Sequence, residues 1–303
     1  MIPTPEINFN RTPVTLILAA LALALEIIST LDPERRVMYL VDFKLGIWSY
    51  IWMWEIWRPF TSAVLHINFI HAIFNVYWLA VFGPTIENWL GSYKTLALIV
   101  LLAYVSSLAQ YVYGNWLIAD IHTHGSGVGL SGVVYGLFGL LWVGSWYRTE
   151  LRLICNPQTV QLFIAWFFFC IVVTYLDWMS FGNFAHAAGW AQGMLLGMAI
   201  FKKRQRLWWA SAAALFAALM LGTLIAAPGH AGYEDVRAVQ RHNRGVLERR
   251  EELRRQMQNR DAPFQDPFQD GLFEDDLRGP EAESLEGRDP DDVDGETESS
   301  QEP

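Results

Sequence analysis

Ser131 is a potentially reactive residue inside a segment whose composition suits lipid. It lies in the stretch GVGLSGVVYGLFG, residues 127–139, which holds five glycines and one other polar side chain, that of Tyr135. Small residues let helices approach closely in a bilayer, so packing alone would account for this serine. The alternative is a nucleophile, whose hydroxyl attacks a carbonyl only when a neighbouring base takes its proton. A catalytic Ser131 therefore requires a base and oxyanion donors elsewhere in the chain.

Candidate partners for Ser131 lie at the starts of two other apolar segments. The stretch HINFIHAIFN begins at His66 and contains His71 and Asn75, and the stretch FAHAAGWAQG contains His186. Polar groups inside membrane spans are costly and usually functional. Because His71 and Asn75 are four residues apart, they share one helix face. Considered alone, His66 is explained equally well by a location at the membrane interface and by a supporting functional role.

Apolar segments that would place these residues recur along the 303-residue chain, and each is long enough to cross a bilayer core of about 30 Å. The segments span roughly 13–31, 67–87, 94–114, 131–147, 158–176, 184–201 and 207–227. No small-residue cleavage site follows the first segment, so we interpret it as a retained helix and not a signal peptide. The sequence predicts an all-α polytopic membrane protein with a six-helix core and one C-terminal transmembrane helix.

The distribution of Lys and Arg favours a cytoplasmic N-terminus. The cations then assigned to the cytoplasm are Arg11, Lys94, Arg148, Arg152 and the basic run 202–206. In this orientation the second, fourth and sixth spans all run inward from the outer face. Ser131, His186 and the polar residues of the second span therefore lie at one level, in the outer half of the membrane.

Glycines at four-residue spacing would let the fourth and sixth spans pack backbone to backbone. The pair Gly132 and Gly136 faces the ladder Gly189, Gly193 and Gly197. Such packing would bring the Ser131 hydroxyl within hydrogen-bond reach of the imidazole on the sixth span.

Donors for an oxyanion are expected at the start of the fourth span, where backbone amides have no partner within the helix. Asn75 and His71 would add side-chain donors, and Tyr135 would stack on the ring of His186. No acidic residue lies in the fourth or sixth span, and the nearest candidate is Asp177 at the outer end of the fifth span, so a Ser-His dyad is expected and not a triad.

The tail of the chain differs sharply in charge from the rest. Residues 261–303 carry 16 Asp and Glu against 2 Arg, a net charge of −14 within a total of −9, which leaves residues 1–260 at +5. Nothing in this balance suggests nucleic acid. The two cysteines, Cys155 and Cys170, are about 22 Å apart if they share a helix, so they are interpreted as structural and indicate neither a disulfide nor a metal site.

The chain divides into five predicted regions. They are a short cytoplasmic N-terminus (1–12), the six-helix core (13–201) with a membrane-interfacial loop (32–66), a basic loop with the seventh helix (202–227), a charged helical segment (228–257) and an acidic disordered tail (258–303). An odd number of spans places the tail outside the cytoplasm, whereas the arginines near 237–255 favour the opposite side.

These residues resemble the motifs of the rhomboid family of intramembrane serine proteases, over about residues 13–201. The matching residues are Gly129-Leu130-Ser131-Gly132, Ala185-His186-Ala187-Ala188-Gly189 with Gly193, His66 with His71 and Asn75, Trp57-Arg58, and the G-x3-E-x3-G stretch 83–91. The motif around the serine is weak alone, but five motifs in the family's order are a specific match. In that last stretch, we interpret Glu87 as a structural residue that bonds loop backbone at a helix end.

The resemblance implies a serine-type endopeptidase that cleaves single-pass transmembrane proteins in or near the membrane. Ser131 would be the nucleophile and His186 the general base. His71, Asn75 and the backbone at Leu130 and Ser131 would form the oxyanion hole. Supporting roles fall to Tyr135, His66, Gly129, Gly132, Gly189, Trp57 and Arg58. No cofactor or metal is implied, and the partners would be the lipid bilayer and transmembrane substrates.

Two other function classes stay open at this stage. One is a catalytically silent relative that binds transmembrane helices, although such relatives commonly lack the serine or the histidine. The other is a transporter, which needs a polar path reaching both membrane faces, whereas the polar residues here cluster in the outer half. The short N-terminus favours a bacterial-type plasma (inner) membrane, with the active site open to the extracytoplasmic side.

Overall fold

The structure of the chain is a computed structural model that describes residues 11–32, 56–111, 128–176, 178–179, 181–226, 245, 248–249 and 251–255. These residues are mainly helical, and no strand occurs among them. Most of the predicted interfacial loop, Asp177 and the acidic tail 258–303 lie outside the described residues. Predictions that concern those parts of the chain stay predictions.

Nine α-helices occur in the described residues up to 226, and seven of them are long. They are α1 (Pro13–Leu31), α2 (Arg58–Val64), α3 (Phe69–Leu90), α4 (Ser92–Ala109), α5 (Ser131–Ser145), α6 (Thr149–Arg152), α7 (Pro157–Tyr175), α8 (Asn183–Phe201) and α9 (Arg206–Ala226). By length and composition, α1, α3, α4, α7 and α8 can each cross a membrane, and α5 is a shorter apolar helix. The prediction of an all-α, multi-pass membrane protein is confirmed.

Local chemistry fixes where the site-bearing helices begin. The side chain of Asn68 accepts the amide of His71 at 2.9 Å, so α3 starts two residues later than the span predicted from hydropathy. Asn156 caps α7 in the same way by accepting the amide of Thr159 at 2.9 Å. Helix α2 was not predicted, because the region before residue 66 was interpreted as an interfacial loop.

Helix α5 forms the centre of the bundle and is buried along nearly its whole length. It packs most extensively on α8 and also contacts α3 and α4. Phe138 stacks on Phe163 of α7 with ring centroids 4.3 Å apart, and Trp78 of α3 meets the same ring edge-on at 4.7 Å. A helix that is apolar on every side is stable only when its neighbours or lipid cover all of its faces.

The contact between α5 and α8 depends on the absence of side chains. A Cβ atom on Gly189 would overlap the carbonyl oxygen of Gly132, and one on Gly193 would overlap the carbonyl oxygen of Gly136. The two backbones are therefore in direct contact over two successive helical turns. Small residues permit this separation where lipid supplies no hydrophobic driving force between helices.

Glu87 joins the end of α3 to the start of α1. Its carboxylate accepts the amides of Val14 and Thr15, each at 2.9 Å, and the hydroxyl of Thr15 at 2.7 Å. Ser92 donates to the same carboxylate at 2.8 Å. A negative charge is favourable at a helix N-terminus, where amides lack partners and the dipole is positive. The partner of Glu87 is thus the first turn of α1 and not the loop backbone that we expected.

Helix α9 packs on α8 and also contacts α4. Ala217 and Met220 join Val105, Ala109 and Ala188 in a small apolar cluster. Residues 230–303 form a separate unit, in which the described residues 251–255 are helical. Within this unit, a guanidinium nitrogen of Arg255 lies 3.9 Å from a carboxylate oxygen of Glu251. Both side chains are exposed, so the ion pair contributes little to stability.

Both cysteines are buried and free. Burial raises the pKa of the Cys155 thiol to about 12, so this group stays protonated at neutral pH. This thiol is therefore unreactive, as a structural residue should be.

The first prediction concerns the carboxylate that joins α3 to α1. Replacing Glu87 by Gln keeps the shape of the side chain but replaces one carboxylate oxygen by an NH2 group. That group would face the N–H and O–H donors that the carboxylate accepts. We expect Glu87→Gln to lower the free energy of unfolding by about 1–3 kcal/mol. The measurement is reversible unfolding of the detergent-solubilised protein. Glu150→Gln, which changes an exposed carboxylate on α6, should stay within about 0.5 kcal/mol of the wild type. Equal stabilities for the two variants would refute the role given to Glu87.

Candidate active site

Ser131 and His186 form a hydrogen-bonded pair between the starts of two helices. Ser131 is the first residue of α5, and His186 lies in the first turn of α8. The Nε2 atom of His186 is 2.9 Å from the Oγ atom of Ser131. Both side chains reach this position because the glycine contact described above holds the two helices together. A serine hydroxyl and an imidazole at this distance have the geometry of an activated nucleophile.

The imidazole of His186 is held by an aromatic neighbour. Its ring stacks on that of Tyr135, with centroids 4.7 Å apart and planes inclined by 27°. The Tyr135 hydroxyl donates to the carbonyl of Phe163 at 3.1 Å, which fixes the tyrosine ring against α7. The Nδ1 atom of His186 is buried and has no hydrogen-bond partner among the described residues. Within those residues the arrangement is therefore a pair without a third, acidic member.

Gly129 shapes the backbone that leads into Ser131. Its φ angle is +123°, which L side chains rarely adopt, and its amide donates to the carbonyl of Ser62 at 3.0 Å. A Cβ atom here would lie 2.6 Å from Cε1 of His71 and 3.6 Å from Nδ2 of Asn75. Glycine is thus required both by conformation and by space. The consequence is that His71 and Asn75 lie beside the backbone that precedes the serine.

Potential oxyanion donors surround this backbone, but they are not equally available. Asn75 is buried and donates one of its two N–H groups to the carbonyl of His71 at 3.1 Å, which leaves the second. The amide of Leu130 points to Nε2 of His66 at the long distance of 3.4 Å. Burial lowers the pKa of His66 to about 3, so its ring is neutral and able to accept. The amide of Leu130, which we expected in the oxyanion hole, is therefore partly engaged.

Trp57 and Arg58 lie at the start of α2, and Trp57 is half-exposed whereas Arg58 is buried. The hydroxyl of Ser107 on α4 donates to the carbonyl of Pro59 at 2.8 Å, and that of Tyr104 donates to the carbonyl of Ile56. The carbonyl of Ser62 on α2 also accepts the amide of Gly129, so α2 links α4 to the backbone that precedes Ser131. The two residues thus belong to a supporting element.

Gln110 is a supporting residue that the sequence did not single out. Its side chain is almost fully buried, and its Oε1 atom accepts the amides of Phe184 at 3.1 Å and Ala185 at 3.3 Å. These amides lie in the first turn of α8 and belong to the two residues that precede His186. The available signal was an uncharged polar residue near the end of an apolar span, which is too general to identify a partner.

No group of three or more His, Cys, Asp or Glu able to hold a metal occurs in the part of the chain that the structure describes.

The second prediction tests the cap on α8. Gln110→Leu removes the acceptor of two amides and leaves the turn that carries His186 free to fray. Losing a cap costs about 1 kcal/mol, so we expect labelling of Ser131 by a fluorophosphonate to slow by about fivefold. Gln110→Glu keeps the acceptor oxygens and should restore the wild-type rate. Failure of the glutamate variant to restore labelling would point to a packing role alone.

The third prediction tests the glycine contact between α5 and α8. Gly189→Ala forces the helices apart and should slow fluorophosphonate labelling of Ser131 by about 100-fold, because small displacements of a catalytic pair are costly. Gly222→Ala is the matched control, since a Cβ atom there meets nothing within 4 Å. This control should label at the wild-type rate. Similar rates for the two alanine variants would contradict a role for the close approach.

Comparison with known proteins identifies the family. A family model described as the rhomboid domain matches residues 53–203, about half of the chain. The rhomboid protease GlpG of Serratia proteamaculans (strain 568) is 32% identical over 197 residues, which cover 64% of each chain. The rhomboid protease GlpG of Enterobacter sp. (strain 638) is 29% identical over 190 residues, which cover 62% of this chain and 63% of that relative.

The matched region extends over less than two thirds of each of these relatives. The residues matched by the family model include the helices that carry Ser131 and His186. The helical architecture and the family match agree with the resemblance found in the sequence motifs. The chain belongs to the rhomboid family.

Proposed function

We propose that this chain is an intramembrane serine endopeptidase that cleaves single-pass transmembrane proteins in or near their membrane segment. The observation that carries the proposal is the 2.9 Å contact between Ser131 Oγ and His186 Nε2 at the start of two packed helices. The chain also belongs to the rhomboid family, and the relatives similar to it are named rhomboid proteases, which supports the same activity.

The proposed reaction begins with proton transfer from the Ser131 hydroxyl to Nε2 of His186. This requires the neutral imidazole to carry its proton on Nδ1, the atom without a described partner. The serine oxygen bonds to the substrate carbonyl carbon, and the imidazolium then protonates the leaving amine as the peptide bond breaks. Water hydrolyses the resulting ester, with His186 taking a proton from the water and returning it to Ser131.

Charge that develops on the carbonyl oxygen has nearby donors. The amide of Ser131 opens α5 and has no acceptor among the described residues, and Asn75 keeps one N–H group free. His71 lies beside Gly129 and would add a third donor. Each such donor typically contributes about 3–4 kcal/mol to transition-state stabilisation. We therefore propose Ser131, Asn75 and His71 as the main oxyanion donors, with Leu130 in a lesser role.

The length of α5 supports an active site below the membrane surface. Its 15 residues extend over about 22 Å, whereas the bilayer core is about 30 Å thick. If Trp146 and Arg148 at the far end lie at one interface, Ser131 lies several ångströms inside the other. A site at that depth favours transmembrane substrates over soluble ones.

We further propose the orientation that the basic loops favour, with the site open to the extracytoplasmic side of a bacterial inner membrane. The proposed division of the chain keeps the catalytic core at 13–201, the basic loop and seventh helix at 202–227, and the charged regions after them. None of the proposed catalytic groups lies after residue 201.

The fourth prediction tests the catalytic pair directly. Purified protein in detergent is treated with a fluorophosphonate probe and with a transmembrane substrate. Ser131→Ala should abolish both labelling and cleavage, and His186→Ala should reduce both by about 100-fold or more, the typical contribution of a general base. Ser131→Ala should elute and unfold like the wild type, because it exchanges small side chains. His186→Ala removes a buried ring that stacks on Tyr135, so its elution and unfolding are measured to confirm that it is folded.

The outcomes separate the competing functions. Labelling that survives in Ser131→Ala would mean that the nucleophile is another residue. Three folded proteins that all fail to label or cleave would favour the alternative in which the chain binds transmembrane helices without cutting them.

A further inference from the structure

The end of the bundle opposite Ser131 brings two basic stretches together. Tyr147, just after α5, stacks on Phe201 at the end of α8 with ring centroids 6.1 Å apart. A Cβ atom on Gly144 would lie 2.8 Å from the same phenylalanine ring. The contact joins the corner that follows α5 to the segment between α8 and α9. We call the cations at this place, Arg148, Lys202, Lys203, Arg204 and Arg206, the basic surface.

The charges of the basic surface are not neutralised by the protein that the structure describes. Four of its five side chains are exposed, and Lys202 is partly so. No ion pair joins any of them to a carboxylate of the described residues. Glu150 is an exposed acidic residue close to them in sequence. Arg152 nearby is already engaged, because its Nε atom donates to the carbonyl of Ser145 at 2.9 Å.

Helix dipoles stabilise only two of the five cations in the basic surface. Arg148 and Lys202 follow the C-termini of α5 and α8, where cations are favourable. Lys203, Arg204 and Arg206 instead lie at the N-terminal end of α9, where the dipole is positive and cations are unfavourable. The dipole of α9 therefore disfavours these three cations. Their presence at this position indicates that they meet an anion outside the protein.

Apolar and aromatic side chains border the same cations. Leu207 is 83% exposed and Trp208 is 79% exposed, while Trp146 lies half-exposed at the end of α5. Nζ of Lys202 is 5.8 Å from the centre of the Trp209 ring. Tryptophan beside lysine and arginine at the end of a transmembrane helix is the composition of the headgroup level of a bilayer.

We propose that the basic surface binds the headgroups of anionic phospholipids in the leaflet at this end of the bundle. The acidic tail 261–303 is the other anion available to the chain. However, α9 begins at the basic surface and its 21 residues extend over about 31 Å, enough to cross a bilayer core of about 30 Å, so a chain that crosses through α9 leaves the membrane at the opposite leaflet. An exposed tryptophan such as Trp208 favours the headgroup level, where lipid phosphates lie, so charge and location both favour lipid. This inference does not depend on proteolysis.

The test measures lipid retained by the full-length protein in detergent. Phosphatidylglycerol or phosphatidylcholine with identical acyl chains is added, and bound lipid is counted by native mass spectrometry. Lys203→Gln combined with Arg204→Gln should weaken phosphatidylglycerol binding by roughly 10- to 30-fold at low salt, with a smaller difference at high salt. Phosphatidylcholine binding should be weaker than that of phosphatidylglycerol and unaffected. Arg254→Gln combined with Arg255→Gln removes two exposed charges elsewhere and is the matched control.

Two results would overturn the proposal. One is equal phosphatidylglycerol binding by the double variant and its control. The other is a chain lacking 261–303 that binds much more phosphatidylglycerol than the full chain, with the gain lost in Lys203→Gln plus Arg204→Gln. That second result would make the acidic tail the natural occupant of the basic surface.

Discussion

The direct backbone contact between α5 and α8 is the constraint on which the candidate site depends. In lipid there is no hydrophobic driving force for helix association, so the separation of two helices depends on how closely their main chains can pack. Gly132 and Gly189 remove the side chains that would hold the helices apart. Since Ser131 and His186 each lie one or a few residues from this contact, their 2.9 Å separation is a property of the helix pair.

A second constraint is that a buried helix start leaves amides without partners, and water is scarce to satisfy them. Four helix starts here meet this need with a side chain: α1 with Glu87, α3 with Asn68, α7 with Asn156 and α8 with Gln110. Two of these side chains belong to another helix, so satisfying the amides also fixes one helix against another. The start of α5 is different, because the amide of Ser131 has no described acceptor. The unmatched amide is where a substrate oxygen would find its donor.

The sequence predicted what depends on composition and local spacing, and it missed what depends on distant partners. Apolar runs gave the long helices, and the residue types and motif spacing pointed to Ser131 with His186. The partners of Glu87 and Gln110 are 72–75 residues away in sequence, so no local pattern revealed them. The competition of His66 for the amide of Leu130 was equally invisible, since it follows from a backbone turn made possible by Gly129.

The two ends of the α5–α8 pair have opposite electrostatic character, because the two helices run in the same direction. Both helices present their N-termini at the candidate site, where amides and a positive dipole suit a developing oxyanion. Their C-termini meet at the other end, where Arg148 and Lys202 complement the negative dipole. Helix α9 then runs back and brings Arg206 to a positive end, which the protein alone does not compensate. A bundle that gathers helix N-termini at one face therefore collects cations at the other, and an anionic leaflet is the proposed partner that would balance them.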